Sequence, residues 1–461
     1  MDKVNIAMEH TTTLPPGPKG LPVMGNALQF QRDPLRFIRE TQQTYGRMAT
    51  IHIGKQPLVL FFRPEHVRYI LTENQRNFVK PNRGGGANLR YLLGDGLLTI
   101  DGELHRQQRR LVQPAFHKRR VEGYADIMVQ STEEMLDQWR PGTTINIAQA
   151  MQQLTLSIIA RSLFNIDSPP LITELGAAFN AVINNGRSLT SRRLLRLNLP
   201  FTKYGKVVAG KRTLDEFVYS LIAERRKDGR DMGDVLSMLL HAQEEGDTLT
   251  DKQVHDHVLT FVAAGHETAQ NTLSWTFYQL SQHPDKRDKL LNELQTMLAG
   301  RKPTVADLPN LPYLEWVINE SWRILPPAWV QGRRAVNDFE LDGYHFPAGT
   351  IGMISQWVTH NLPNIWGDPE VFRPERWDPA SSQKVPQWAY FPFGGGSRIC
   401  IGMPFAEMET KLLLATILQR YAPRLVPGFR VVPKPRVTLR PKYGMRMILE
   451  LVQAPATVSV S

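Results

Sequence analysis

Cysteine is nearly absent: in 461 residues only Cys400 carries a thiol. That excludes an intrachain disulfide and a Cys-rich zinc site, and it fits a reducing compartment. Long hydrophobic runs are missing too. No stretch of about 18 apolar residues occurs, and Met1 to Leu14 is polar, with Asp2, Lys3, Glu9 and three threonines. Neither a signal peptide nor a transmembrane anchor is expected, and the expected location is cytoplasmic. Acidic residues are the scarcer charge, 44 against 55 basic, leaving +11. Such a charge attracts an acidic protein, an anionic membrane surface or nucleic acid; without a nucleic-acid-binding motif, no nucleic-acid partner is expected. Internal repeats and low-complexity tracts are also lacking. Hydrophobic residues at 42% and nine tryptophans supply a sizeable core and argue against disorder.

The pattern along the chain is mainly helical. Residues 47–64 read as strands, with Ile51, Ile53 and Leu58 to Phe62 broken at Gly54-Lys55. Residues 103–325 carry helical periodicity, punctuated by Pro141-Gly142, Pro169-Pro170 and Pro200. Residues 329–355 turn strand-like again, and 361–398 form a long Pro-, Gly- and Trp-rich loop. Arg430 to Leu451 alternates and turns at Tyr443-Gly444. The expected fold is mainly α with small β-sheets. Residues 1–18 form a tail ending in the stiff Pro15-Pro16-Gly17-Pro18 hinge, and 19–461 a single domain.

Three features carry chemistry. Cys400 follows three glycines in Phe393-Gly394-Gly395-Gly396-Ser397-Arg398-Ile399-Cys400-Ile401-Gly402, and an apolar helical stretch, Phe405 to Leu418, comes after Gly402 and Pro404. A thiol at a helix N-terminus near Arg398 is expected to have a lowered pKa. The alternative is a buried structural cysteine after a Gly-rich turn. Second, Thr250-Asp251-Lys252-Gln253 is a capping box, with Leu249 placed to staple onto Val254. With no proline until Pro284, it predicts a helix from about 251 to 282, roughly 45–50 Å long. Its centre, Ala263-Ala264-Gly265-His266-Glu267-Thr268, sets an acid and an alcohol beside small residues. Left to local rules, Thr268 would back-bond to Ala264, Glu267 would face water, and Gly265 would admit a neighbouring helix. Third, Glu320 and Arg323 share a helix face before Pro326-Pro327.

The Phe393–Gly402 segment resembles the heme-ligand loop Phe-x-x-Gly-x-Arg-x-Cys-x-Gly of the cytochrome P-450 family of heme-thiolate monooxygenases. Further segments fit in order from the proline hinge to the last turn. Ala264 to Thr268 resembles the mid-helix Ala/Gly-Gly-x-Asp/Glu-Thr motif, Glu320-x-x-Arg323 the Glu-x-x-Arg motif, and Pro374-Glu375-Arg376-Trp377 the Pro-x-Arg-Phe motif with Trp377 for phenylalanine. The resemblance implies the family's fold, with its long central helix over heme b (iron protoporphyrin IX).

It also implies roles. Cys400 would be the metal ligand, with Phe393, Gly394 and Gly402 beside it. Arg398, Arg333 (rather than Arg334), Arg109 and His105, which stands where tryptophan is usual, would hold the propionates. Ala264 would leave room for dioxygen, with Thr268 the oxygen-side hydroxyl and Glu267 its proton relay. Glu320, Arg323 and Arg376 would lock the loop leading to Cys400. Leu93 in a Gly-rich loop (88–97), Ala264, Trp329, Val330, Tyr443 and Met445 would face the substrate.

The implied reaction inserts one atom of molecular oxygen into a C–H (or C=C) bond of an apolar small molecule, a fatty acid or a terpenoid. Electrons would come from a separate acidic ferredoxin- or flavodoxin-type donor docking on a face that includes Arg106, Arg110, Lys118 and Arg119. Alternatives are a peroxide-driven hydroxylase and a non-catalytic heme carrier or gas sensor; the Glu267–Thr268 pair argues against both. Arg192 to Leu197 mixes cations with leucines and reads either as a lid touching an acidic lipid head group or as a solvated helix edge.

Overall fold

A computed structural model describes residues 14–81, 85–186, 198–244, 247–381 and 384–452. The Arg192 to Leu197 segment lies outside the described residues. Two compact units interleave along the chain: one takes residues up to Pro81 with Trp329–Pro369 and Val385–Ile399, the other residues from 82 to Ala328 with Glu370–Lys384 and the chain from Cys400 onward.

The first unit is built on a five-stranded sheet. Met48–Ile53 and Gln56–Phe61 pair antiparallel from Ile53↔Gln56 outward. The two-residue turn between them falls at Gly54-Lys55, where Gly54 takes φ +63, the left-handed conformation such turns favour. Ile351–Ile354 joins Gln56–Phe61 in parallel and Gln331–Ala335 antiparallel, and Phe78–Val79 closes the order. Val59, Phe61, Phe78, Ala335, Phe339, Phe346, Ile354 and Phe391 form its buried cluster. Gly352 lets the strand pass Phe61, whose ring would lie 2.7 Å from an added Cβ. The proline hinge is not loose: the Pro16 carbonyl accepts from the Thr50 N–H at 3.2 Å.

The second unit is helical and organised on one helix, Asp251–Gln282, 32 residues long and so about 48 Å from end to end. The Thr250–Gln253 capping box is present with both of its bonds. Leu249 and Val254 are both buried. Polar residues on this buried helix satisfy themselves by back-bonding, Thr260 to Asp256, Ser274 to Gln270 and Thr276 to Thr272. Gly265 admits the helix Ile147–Phe164: an added Cβ would stand 2.7 Å from Ile159 Cδ1. Thr155 of that helix donates to the His266 carbonyl at 3.1 Å.

The N-terminal half of the long helix holds an ionic chain. Asp256 accepts from Lys252 at 2.6 Å and from the Asp95 N–H at 2.8 Å. His255 lies 2.9 Å from both Asp256 and Asp215.

Two expectations are corrected. Residues 88–97 are not one loop: Gly85–Leu93 is helical. The run Leu89-Arg90-Tyr91-Leu92-Leu93 favours helix and contains no proline, and Gly94 at φ +60 ends it. The C-terminal region carries an additional turn: Pro433–Pro435 and Leu439–Pro441 pair as a hairpin that turns at 436–438. Gly444, at φ +70, then leads into Arg446–Leu451, which pairs with Tyr421–Leu425 and Thr144–Asn146.

His257 is the unexpected core residue. It has no exposed surface, neither ring nitrogen has a partner, and its ring stacks on Phe261 at 5.9 Å. Burial lowers its pKa to about 4, against the pull of the Asp256 charge. The folded value lies below the unfolded value of about 6.5. On acidification through that window the unfolded chain binds the proton first, so up to about 3 kcal/mol of stability is lost by pH 4. His257→Phe is expected to stabilise the protein at neutral pH by about 1–3 kcal/mol. It should also flatten the fall between pH 6.5 and 4.5 in denaturant titrations, with His66 and His266, likewise pushed down by burial, retaining part of the slope. A less stable variant with an unchanged slope would show that the imidazole is satisfied.

Candidate active site

The thiol loop is held on each side of Cys400. In the first unit, Gly394 and Gly396 adopt φ +73 and +62. A Cβ on Gly396 would collide with the Leu71 carbonyl and one on Gly395 with the Trp388 ring, at 1.8 and 2.2 Å. The Ser397 N–H donates to Gln75 Oε1 at 2.9 Å. In the second unit, the helix Met403–Leu418 starts from Gly402 as N-cap. The Gly402 N–H points to the Cys400 sulfur.

Cys400 is an exposed residue, yet desolvation still pushes its thiol up, outweighing the Gly402 N–H and the Arg109 charge. The expected lowering of the thiol pKa is therefore corrected. Helix end and cation act in the expected sense, but burial is larger. A metal cation bound to the sulfur would oppose that desolvation and favour the ionised form.

The same unit exposes part of its main helix. Between the buried residues Val262 and His266, Ala264 is exposed and Ala263 and Gly265 are half-buried. Thr268, one turn on and half-buried, donates from its hydroxyl to the Ala264 carbonyl at 2.7 Å. An alanine exposed at the middle of a core helix marks a short open window one turn high. Glu267 does not face water: it is buried and accepts from the Thr438 hydroxyl at 2.7 Å. On the helix Gly102–Val112, His105 is buried. Arg109, on the same face, is half-buried; burial lowers its pKa while the Cys400 charge opposes this.

In the first unit, Arg333 is buried and donates to the Gly332 carbonyl at 2.8 Å and to Gln331 Oε1 at 3.1 Å. Gln331 also lies 3.2 Å from where a Gly394 Cβ would be, so Arg333 and the glycine loop meet through one side chain. Arg334, the neighbouring candidate, leaves its buried Nε without a partner. Phe393 and Arg398 are half-buried.

Glu320, Arg323 and Arg376 come together with almost no exposure. Glu320 accepts from Arg323 Nε at 2.9 Å and Nη2 at 2.8 Å, from Arg376 Nε at 3.2 Å and from the Arg373 N–H at 3.1 Å. Trp377 adds its indole N–H to Glu320 at 3.0 Å, a bond phenylalanine could not make.

The substrate-facing candidates separate. Ala264 and the half-buried Val330 offer surface. Leu93, Trp329 and Met445 are almost completely buried, at 1%, 6% and 0% exposure, so a bound molecule reaches them only if they move. Tyr443 is corrected outward: it is 56% exposed, with Lys442 over its ring. Sequence reasoning missed Thr438 and Asn271 around Glu267. Asn271, four residues on from Glu267, was visible as a polar residue near the acid; Thr438, far along the chain, carried no local signal.

The family model described as Cytochrome P450 matches residues 15–447. The chain belongs to the cytochrome P-450 family. It is 35% identical to cyclooctatin synthase of Streptomyces melanosporofaciens, over 94% of this chain and 95% of that protein. It is 36% identical to cyclooctat-9-en-7-ol 5-monooxygenase of the same organism, over 91% and 92%. Pentalenene oxygenase of Streptomyces avermitilis is 34% identical, over 96% and 98%. A solved cyanobacterial cytochrome P-450 with retinoic acid bound shares the fold at TM-score 0.85 and 28% identity, covering 96% of this chain and all of that one.

As a member of this family the protein is a monooxygenase with a heme cofactor. The residues present fit that cofactor: an exposed thiol, a small-residue window on a core helix, and the buried Arg333 and half-buried Arg109 and Arg398 to meet carboxylates. Among the described residues, no helix is long and apolar enough to cross a membrane.

Glu320→Gln removes the buried carboxylate shared by Arg323 and Arg376. It is expected to cost about 3–5 kcal/mol in denaturant titrations and to lower heme retention. A cost below about 1 kcal/mol would place this cluster among weakly coupled ion pairs.

Proposed function

We propose that this cytochrome P-450 hydroxylates or epoxidises an apolar, polycyclic terpenoid. Cys400 would hold the iron, and Arg109, Arg333, Arg398 and His105 the propionates. Bound heme supplies the reductive activation of dioxygen. Overall, substrate, O2, two electrons and two protons give oxygenated product and water. The reading rests most directly on the open window at Ala264, an apolar surface one turn long beside the Thr268 hydroxyl. A rigid hydrocarbon fits such a window without presenting polar groups to it. The relatives named for cyclooctatin and pentalenene support a terpenoid over a fatty acid.

The chain's own residues divide the remaining work. Thr268 holds a hydroxyl at the open face, tied back to the Ala264 carbonyl. Glu267, one residue earlier, is the acid that supplies it with protons. The apolar window excludes bulk water and orients the substrate C–H bond.

Electrons are proposed to come from a small acidic ferredoxin or flavodoxin. Arg110 and Arg119 are exposed, while Arg106 bonds Glu103 and Lys118 lies 3.9 Å from Glu122. A docking carboxylate surface would compete for all four cations, so reduction rates should fall as salt rises.

The deciding experiment titrates the ferric protein with cyclic terpenoid hydrocarbons and alcohols and, separately, with saturated fatty acids. A low-spin to high-spin shift reports displacement of water by an occupant. Terpenoids are expected to give the shift at micromolar concentration. A shift with fatty acids alone would overturn the substrate class and leave the reaction class standing.

A further inference from the structure

Glu267 and Thr268 are adjacent in sequence, but they leave the helix about 100° apart. Thr268 lies on the open face with Ala264. Glu267 points instead toward the hairpin formed by Pro433–Pro435 and Leu439–Pro441. There the Thr438 hydroxyl donates to Glu267 Oε1 at 2.7 Å. Asn271, one turn further along, donates from Nδ2 to Thr438 Oγ1 at 3.0 Å and to the Glu267 carbonyl at 2.8 Å. These bonds close a ring: the carboxylate, the threonine hydroxyl, the asparagine amide and the acid's own backbone. All three side chains are buried.

The hairpin is itself fixed. Trp275 Nε1 donates to the Leu439 carbonyl at 2.9 Å, and the Leu439 N–H donates to the Pro327 carbonyl at 2.9 Å. Thr438 is therefore set by the helix on one side and by the segment after Arg323 on the other. Asn271 Oδ1 is buried without a partner. An apolar side chain at that position would leave no such orphan acceptor. Its amide makes two bonds, one to the Thr438 hydroxyl that holds the Glu267 carboxylate and one to the Glu267 backbone carbonyl.

We propose that Thr438, supported by Asn271, is a positioning residue for the proton relay. A glutamate side chain has several rotatable bonds, and a relay works only when its carboxylate is held at a defined place. Thr438 fixes the Glu267 carboxylate at one defined seat on the hairpin side of the helix, one residue before the Thr268 hydroxyl at the open face. Losing the hydroxyl releases the carboxylate from that seat, and electrons then leave as hydrogen peroxide (O2 plus two electrons and two protons) instead of as product and water. The inference rests on the reading of Glu267 and Thr268 as the relay.

The test uses holoenzyme with a ferredoxin electron-transfer system and the terpenoid that gives the largest spin-state shift. Product, hydrogen peroxide and reductant consumed are counted in H2O and in D2O. Thr438→Val keeps shape and removes the hydroxyl. It is expected to lower product per electron pair on the order of ten-fold, with a matching rise in peroxide and a larger solvent isotope effect on product formation. Thr438→Ser is expected to restore all three. Asn271→Leu, which cuts the supporting bonds, should shift them the same way by less and stands in if the valine variant does not load heme.

Thr268→Ala and Glu267→Gln calibrate the assay. If they uncouple and Thr438→Val couples like the parent, the positioning role is wrong and the relay stands. Failure of Thr438→Ser to restore coupling also overturns it, since packing rather than the hydroxyl would then matter. If Thr268→Ala and Glu267→Gln couple like the parent, the relay reading falls and this inference falls with it.

Discussion

The charge state of one desolvated sulfur sets the terms for the proposed chemistry. Desolvation favours the neutral thiol of Cys400, and neither the Gly402 N–H nor the half-buried Arg109 overcomes it. A thiol in that position becomes a thiolate when a metal cation binds it. The polypeptide therefore does not prepare a free nucleophile. As the proposed iron ligand, Cys400 would gain its negative charge together with the metal.

The second constraint is the division of the central helix into two faces at one turn. Toward the core, Glu267 is seated by Thr438 and Asn271, and Gly265 takes the neighbouring helix. On the other side, Ala264 and Thr268 form an open window. Because the backbone is continuous, the window can be small and apolar while the acid lies behind it. The same economy governs the Glu320 cluster, where one carboxylate serves two guanidinium groups, a backbone N–H and the Trp377 indole. Such a shared anion is expensive to bury and therefore costly to disturb.

Local signals in the sequence were legible. The Thr250–Gln253 capping box and the gap to Pro284 located the Asp251–Gln282 helix. Gly54-Lys55 marked the first hairpin, and the spacing of Glu320 and Arg323 placed both on one face. The motif around Cys400 identified the family. What stayed hidden depends on partners far along the chain or on burial. The Thr438–Glu267 bond joins residues 171 positions apart, and no periodicity encodes it. His105 is buried by neighbours the sequence does not name. The Cys400 thiol looked activated because its helix end and Arg398 are visible in sequence, whereas the surroundings that desolvate it are not. Tyr443 looked like a wall of the site and faces solvent because an additional turn at 436–438 places the hairpin, not Gly444, against the central helix.

The account depends on Cys400 binding heme iron as a thiolate. The most direct measurement is the absorption spectrum of the purified, heme-loaded protein, reduced under carbon monoxide, beside that of Cys400→His. The parent is expected to show the strongly red-shifted Soret band that thiolate ligation produces, and the variant to lose it while retaining heme. A parent spectrum without that band in freshly loaded protein, or a variant that keeps it, would contradict the assignment.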